Sequence, residues 1–407
     1  MRLLVAILVG KFIAFISQTF KIGGGSAAPG LYALKICPEL VEGLVKKIPK
    51  NVVITGTNGK TTTARILAHL AKESGLKVIR NSTGSNLERG IASALILNAH
   101  LGGVVGRHLG IWELDEFAFN DVTLKIKPDL VLFLNVSRDQ LDRYGEVDKV
   151  VSRWCETISK LDPKTIVLID PTLSKLKNYF KVREFEKAKN IKTRGLNGSS
   201  FELILNGKSQ TINLPIPGLY NIQNSAAAIN AAEYLDIPIT PLDKFQPAFG
   251  RFEKLPFGYI FLIKNPAGAT QVFETLAPQI KPEGRLLIAL NDNLADGTDV
   301  SWIWDAEFEK LSPSSSLERL PRPFGARNDG EIVVSGTRAN DLAVRLKYAG
   351  FDPKSIKVEP NLKRALKEAR NGLKGQLYIL PTYTALLELQ AILAKIGIKK
   401  HYWREES

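Results

Sequence analysis

Cysteine is nearly absent: Cys37 and Cys155 are the only two in 407 residues. Neither belongs to a CxxC pair, which excludes a zinc ribbon and leaves a disulfide framework without material. Sparse cysteine fits a reducing compartment. The chain also lacks low-complexity tracts and fixed-period repeats, so solenoids and propellers drop out. Nor is there an uninterrupted apolar run of membrane-spanning length. Residues 3–16 are apolar apart from Gly10 and Lys11, short of the roughly 20 residues a helical span needs. The small residues 23–28 offer what a signal-peptide cleavage site uses. The preferred expectation is an amphipathic helix packed on the body or lying on a membrane surface.

Acidic residues are outnumbered, 41 against 55 Lys and Arg, for a net charge of +14. A basic surface attracts nucleic acid, anionic lipid or phosphorylated substrates without choosing among them. No RNP-type aromatic signature, zinc finger or helix-turn-helix pattern accompanies it, so a nucleic-acid partner is not expected. Hydrophobic residues at 44% and charged residues at 24% describe a globular chain, long enough for two or more domains.

Strand-like and helix-like segments alternate, which predicts α/β domains with mainly parallel sheets. Residues 51–55 read as a buried strand, followed by a Gly-rich turn and a helix at 61–74. Further strands are expected at 76–80, 110–114, 130–135 and 165–169. A second set follows Gly250, at 259–263, 285–290, 331–335, 356–359 and 377–380, with helices at 339–348 and 362–369. The expected division is an N-terminal lead (1–50), a central domain (51–254) and a C-terminal α/β domain (255–407), with the boundary inside 250–256.

The first strand runs into Thr55, Gly56, Thr57, Asn58, Gly59, Lys60, Thr61 and Thr62. Glycines let backbone N–H groups approach phosphate oxygens, and the helix start adds free donors and its positive dipole end. Lys60 is suited to the terminal phosphates and the Thr61 hydroxyl to Mg²⁺. The spacing is GxxGKT, two residues shorter between the glycines than the general phosphate loop. Glu113, in the string Ile111, Trp112, Glu113, Leu114, Asp115, Glu116, closes a strand, where a carboxylate suits a hard cation. By itself an acidic strand end also fits a solvated turn.

The TGTNGKTTT string resembles the ATP loop of the Mur ligases and folylpolyglutamate synthases. That resemblance implies a central ATPase domain, a Rossmann-like C-terminal α/β domain, and amide synthesis through an acyl phosphate. Glu113 matches the family's Mg²⁺-holding glutamate. Asn221 and Asn224 match a nucleotide-side motif, G-x-x-N-x-x-N-x-x-A, and their spacing lets both face one side of a helix; an ordinary Asn cap before an Ala-rich helix is the plainer reading. Arg251, in GRFE, matches an arginine that contacts the nucleotide at the domain junction. Gln140 stands where many members have a metal-ligating His, and glutamine offers only a neutral carbonyl oxygen.

More specific strings resemble one branch of the family, the MurT subunits of lipid II isoglutaminyl synthases. They are Arg80-flanked NSTGSN at 81–86, RDQLDRYGE at 138–146, KNPAG at 264–268, NDNLADGTDVSW at 291–302, SGTRA at 335–339 and PTYT at 381–384. The resemblance implies ATP-dependent amidation of the D-glutamate α-carboxylate of the lipid II stem peptide, with ATP and Mg²⁺ as cofactors. Ammonia is then supplied by a separate GatD-type glutaminase, and Asp299 completes the partner's catalytic triad. Its residue-level alternative is a cap on the helix starting near Ser301. A split enzyme suits the chain's own inventory, since a glutaminase needs an activated thiolate, usually beside an imidazole. His69, His100, His108 and His401 have no motif pairing them with either cysteine.

One departure is large. MurT proteins commonly carry a four-cysteine zinc ribbon in the central domain, and residues 181–209 contain no cysteine. No zinc is expected, and a short β-hairpin or loop should stand there. An amino-acid-adding Mur ligase or folylpolyglutamate synthase-like ligase is the alternative activity. The implied location is cytoplasmic, with association at the inner face of the membrane open as an option: residues 1–50 carry seven Lys/Arg and two Asp/Glu, a net of 7 − 2 = +5.

Overall fold

The computed structural model describes residues 1–20, 27–81, 85–100, 103–104, 106–136, 146–178, 182–312 and 332–399. Three helices lead: α1 (Arg2–Phe20), α2 (Ala28–Ile36) and α3 (Leu40–Val45). The first six-stranded sheet follows. Its spatial order is β2 (Val78–Arg80), β5 (Leu109–Glu113), β1 (Lys50–Thr55), β6 (Leu130–Phe133), β7 (Ile166–Ile169), β8 (Val182–Glu184), and every neighbouring pair is parallel. A parallel sheet is covered on both faces, so its strands are apolar throughout. Alternate residues of β1 show it. Val53 enters one core, with α1–α3, α5 (Glu88–Asn98), α6 (Ala118–Ile126) and α7 (Glu146–Lys160). Val52 and Ile54 enter the other, with α4 (Lys60–Glu73) and α8 (Leu219–Tyr234). Aromatic side chains fill the first core, where the Phe133 ring lies 5.0 Å from Phe119 and 4.9 Å from Trp154. A small ribbon, β3 (Ala99–His100) with β4 (Gly103–Val104), hangs beside the sheet.

The cysteine-free insertion is larger than the hairpin or loop expected of it. It forms a three-stranded antiparallel sheet, β9 (Lys189–Thr193), β10 (Ser199–Leu205) and β11 (Lys208–Leu214), with β10 central. Asn206 and Gly207 make its tight turn, at φ 48° and 74°; only residues tolerant of positive φ fit a two-residue hairpin of this hand. Phe201, Leu203, Leu205, Ile212 and Leu214 seat the sheet on the second core. Buried apolar area therefore holds this insertion in place.

The second large sheet begins at β12 (Arg251–Leu255), which pairs antiparallel with β13 (Gly258–Phe261). The remaining order is β17 (Leu377–Pro381), β14 (Arg285–Ala289), β15 (Ile332–Ser335), β16 (Ile356–Val358), all parallel. Helices α9 (Pro266–Leu276) and α10 (Ala339–Tyr348) cover one face, α11 (Leu362–Arg370) and α12 (Tyr383–Lys395) the other. The edge strand β12 is tied down by Glu253, which is buried. Its carboxylate accepts from Gly250 N–H, from Gln390 Nε2 at 2.7 Å and from Lys399 Nζ. The chain is thus of the α/β class, with one parallel and one mixed sheet.

The expectation for the lead is met in its packing, not in the polarity of its outer face. Packing on the body does occur, with Ala6, Ile7 and Ala14 buried. The outward face of α1 is not polar, however, but carries the helix's bulkiest apolar side chains. Among the described residues, no helix is long and apolar enough to cross a membrane.

Candidate functional site

The strand order reverses around β1, with β5 on one side and β6 on the other. A crevice outside the carboxyl ends of the strands opens at such a switch point. The phosphate-loop residues 56–59 leave β1 here and enter α4. Gly56 and Gly59 take φ 135° and 91°, and neither position has room for a side chain. A Cβ at Gly56 would lie 2.8 Å from Asn135 O, and one at Gly59 would lie 2.1 Å from Asn224 Oδ1.

Asn135, at the exit of β6, holds the loop open. Its backbone oxygen accepts from Thr57 N–H at 3.0 Å. Its side chain accepts from Asn58 N–H at 2.9 Å and donates to Asn58 O at 2.9 Å. Asn265, which also caps α9 by accepting from Gly268 N–H, donates to Asn58 Oδ1 at 3.1 Å. The sequence placed Asn135 at the end of an expected strand and Asn265 inside KNPAG, and gave neither a role. Their function depends on which strands lie beside β1, which no local pattern states.

Lys60 is buried. Its ammonium donates to Gly56 O and to Thr57 O at 3.2 Å, and lies 3.9 Å from Glu116. Burial pushes the Glu116 carboxyl up, but Lys60, Thr57 and Lys264 outweigh it and leave the group below its ordinary value. Glu116 is a second carboxylate that the sequence reading passed over. Thr61 donates to Glu113 Oε2 at 2.7 Å. Glu113 is 2% exposed, and burial raises its carboxyl, against Thr61, Arg80, Lys60 and Arg251. Asn81 clamps the glutamate's backbone, accepting from Glu113 N–H at 2.9 Å and donating to its carbonyl at 2.8 Å. Thr62 is buried in the first turn of α4.

Asn221 and Asn224 are both buried on α8. Asn221 donates to Pro217 O at 2.6 Å, and the Asn224 carbonyl accepts from Thr63 Oγ1 at 3.4 Å. Arg251 lies across from them, where burial draws its guanidinium down and Tyr220 and Glu113 push it back up. Burial pushes the Tyr220 phenol up to about 12, with Arg251 and Asn221 opposing. Tyr220, Asn224 and Arg251 line a cleft, open to solvent, between the two sheets; Asn221 is not among its lining residues. Asn58, Gly59, Tyr220, Gln223 and Asn224 form one wall, Arg251, Phe252, Lys264, Gln271 and Val272 the other. Gln140 and most of the RDQLDRYGE string lie outside the described residues.

Asp299 does not line that cleft. It lies in the second unit, ahead of the 3₁₀ turn Ser301–Trp304, and accepts from Ser301 N–H at 2.8 Å. That contact closes a local turn one residue ahead of the N-cap position, which Val300 occupies without a side-chain cap. Ser301 also holds the carboxyl below its ordinary value while the side chain stays in solvent. Exposed apolar side chains stand in the same unit: Leu294, Trp304, Val344 and Tyr348. The Trp304 and Tyr348 rings meet edge-on at 5.6 Å. Buried Arg345 fixes the turn, donating to Ile303 O at 2.9 Å, Ala306 O at 2.8 Å and Glu309.

A crevice that offers a preformed anion cradle, a buried lysine and a Thr–Glu oxygen pair suits a nucleotide. Comparison with known proteins gives it a lineage. The Mur ligase middle domain family matches residues 54–232, and the MurT ligase C-terminal family matches residues 262–386. The MurT subunit of lipid II isoglutaminyl synthase (glutamine-hydrolyzing) from Streptococcus pneumoniae is 30% identical across 95% of this chain and 96% of its own length. The chain belongs to the MurT family. MurT membership makes it a Mur-type ligase in fold, and the solved structures agree. MurF from Acinetobacter baumannii superposes with a TM-score of 0.69 at 18% identity, covering 91% of this chain and 81% of that one. Folylpolyglutamate synthase from Mycobacterium tuberculosis, complexed with ADP and AMPPCP, gives 0.65 at 15% identity, covering 89% and 96%. Identities so low show shared architecture alone. The MurT match extends along both units, and sets this chain apart from the amino-acid-adding branches.

Proposed function

We propose that this chain is the ATP-dependent synthetase subunit of a lipid II isoglutaminyl synthase. It would amidate the D-glutamate α-carboxylate of the lipid II stem peptide to D-isoglutamine. The observation that carries this reading is the Thr61–Glu113 pair, 2.7 Å apart beside buried Lys60, in a chain aligned end to end with a MurT subunit. ATP is assigned to the cleft, with residues 56–62 around its phosphates and Asn221, Asn224 and Arg251 on the nucleoside side. The donor set fits Mg²⁺: a hydroxyl and a carboxylate, both hard oxygens, with the remaining ligands left to phosphate and water. When bound, that ion supplies positive charge against the transferring phosphoryl group.

The chemistry follows from what a carboxylate resists. It carries negative charge and a poor leaving group, so ammonia does not displace its oxygen. Attack of a carboxylate oxygen on the γ-phosphorus breaks the bond to ADP and gives an acyl phosphate. Ammonia then adds to the carbonyl carbon, the C–O bond leaves with phosphate, and nitrogen loses a proton. Lys60 offsets charge on the phosphoryl oxygens. Asn135, which takes the Thr57 and Asn58 N–H groups, and the tight glycines fix the shape of the loop, so little reorganisation is left for the moment of transfer.

Ammonia is assigned to a GatD-type glutaminase subunit, because neither cysteine is equipped for the task. Cys37 is buried and Cys155 half-buried. Asp299, exposed and ionised, is the residue we assign to that partner's histidine, with Trp304 and Tyr348 among the contact surface. The lipid-linked substrate would set the complex in the cytoplasm, against the inner face of the membrane. Product mass tests the amidation: lipid II in detergent, ATP and ammonium should lose one mass unit as OH is replaced by NH₂. ATP hydrolysis with no mass change, in a correctly assembled complex, would retain the ATPase and remove the amidation.

A further inference from the structure

Helix α1 buries Ile7 and several small side chains and leaves a row of bulky apolar ones outside. Small side chains face the protein at Ala6 (0% exposed), Gly10 and Ala14 (6%). The approach is close: a Cβ on Gly10 would lie 2.8 Å from Ile96 Cδ1. Bulky side chains face away, with Leu8 51%, Phe12 63% and Phe15 65% exposed. Met1, Leu4 and Val5 are exposed as well, and the spacing puts all six on a single face. At 1.5 Å per residue that face runs for roughly 20 Å. Arg2 and Lys11 fall on its opposite edges by helical position. Helix α2, packed along α1, adds exposed Leu31 and Tyr32, with the Lys35 ammonium 5.4 Å from the Tyr32 ring centroid. Residues 1–38 hold Arg2, Lys11, Lys21 and Lys35 and no Asp or Glu.

We infer that this face is a docking surface for an anionic lipid bilayer, on which α1 lies without crossing. Apolar side chains in the middle enter the acyl boundary, while cations at the edges keep their charge among headgroups. Charge complementarity selects lipid over a second copy. A two-fold contact through this face would bring together the cations of two copies, with no carboxylate among residues 1–38 of either to pair them. The inference deepens the lipid-linked reading above and rests on it for the choice of leaflet alone.

Flotation of the full chain with vesicles tests it, using phosphatidylcholine alone or mixed with phosphatidylglycerol, neither containing lipid II. The chain should float with the anionic vesicles, and about tenfold less with neutral ones or at raised salt. Leu8→Asp with Phe12→Asp should cut anionic binding about thirtyfold or more, with the thermal unfolding midpoint kept, since both side chains point outward. Arg2→Gln with Lys11→Gln should remove the preference for anionic lipid and leave weak binding to both. Deleting α1 is the wrong test, because Ala6, Ile7 and Ala14 belong to the core. No flotation by the native chain, or equal flotation by the aspartate variant, would overturn the inference. So would a dimer of the native chain that the aspartate variant makes monomeric, without vesicle binding. Amidation of detergent-dispersed lipid II is measured separately, so either reading can fail while the other stands.

Discussion

The two large sheets present opposite kinds of carboxylate. At the end of β5, Glu113 is buried against Thr61, and just past it Glu116 is largely shielded beside Lys60. In the second unit, Asp299 projects into solvent and is held by its own turn. A charge that must act on a phosphoryl group gains from a dry, pre-arranged setting. One that must reach another protein's histidine has to be exposed, and local hydrogen bonds are all that can aim it. On this reading, each half of the reaction has its own end of the molecule.

If the division is real, the halves should break separately. The largest effect belongs to the buried end. Lys60→Ala should lower amidation about a thousandfold or more with either ammonium or glutamine as nitrogen source. Asp299→Asn should lower the glutamine-driven rate about a hundredfold or more and leave the ammonium-driven rate near native. Equal losses from both sources would merge the two ends into a single site.

Two smaller effects sharpen the contrast. Glu116 competes with phosphate for Lys60, so Glu116→Gln should tighten Mg²⁺-free ADP binding about five- to tenfold. With Mg²⁺ the gain should be less, as read by calorimetry; no change in either condition would mean that Glu116 does not face the phosphates. The smallest concerns Glu309, which the Arg345 hydrogen bond holds below the ordinary Glu value of 4.5. A lowered folded value means stability that is present above 4.5 and lost as pH falls through the folded value. The Glu309 side chain is 52% exposed, so Glu309→Gln should cost no more than about 1 kcal/mol at neutral pH. Thermal melts of the two proteins should converge in acid.

Local patterns carried much of this organisation. The glycines, Lys60 and Thr61 sit within one turn and one helix start, where sequence neighbours are also spatial neighbours. Both units showed their strands because parallel strands are short apolar runs between helices. What stayed hidden depends on order in space. Asn135 meets Asn58 because β6 lies beside β1, and Asn224 meets Gly59 across 165 residues of chain. The lead helix shows a different limit. An apolar stretch announces burial but not direction, and here the small residues turned inward. The three-stranded insertion was underestimated because its outer strands are largely polar, as in Lys189–Thr193.

Glu253 has a mechanical consequence. By gripping Gly250, Gln390 and Lys399, it makes β12 part of the second unit's rigid frame. Arg251 stands between the gripped Gly250 and Glu253, and faces the opposite wall of the cleft. Any rotation of the second unit therefore sweeps the guanidinium across the crevice as a lever arm.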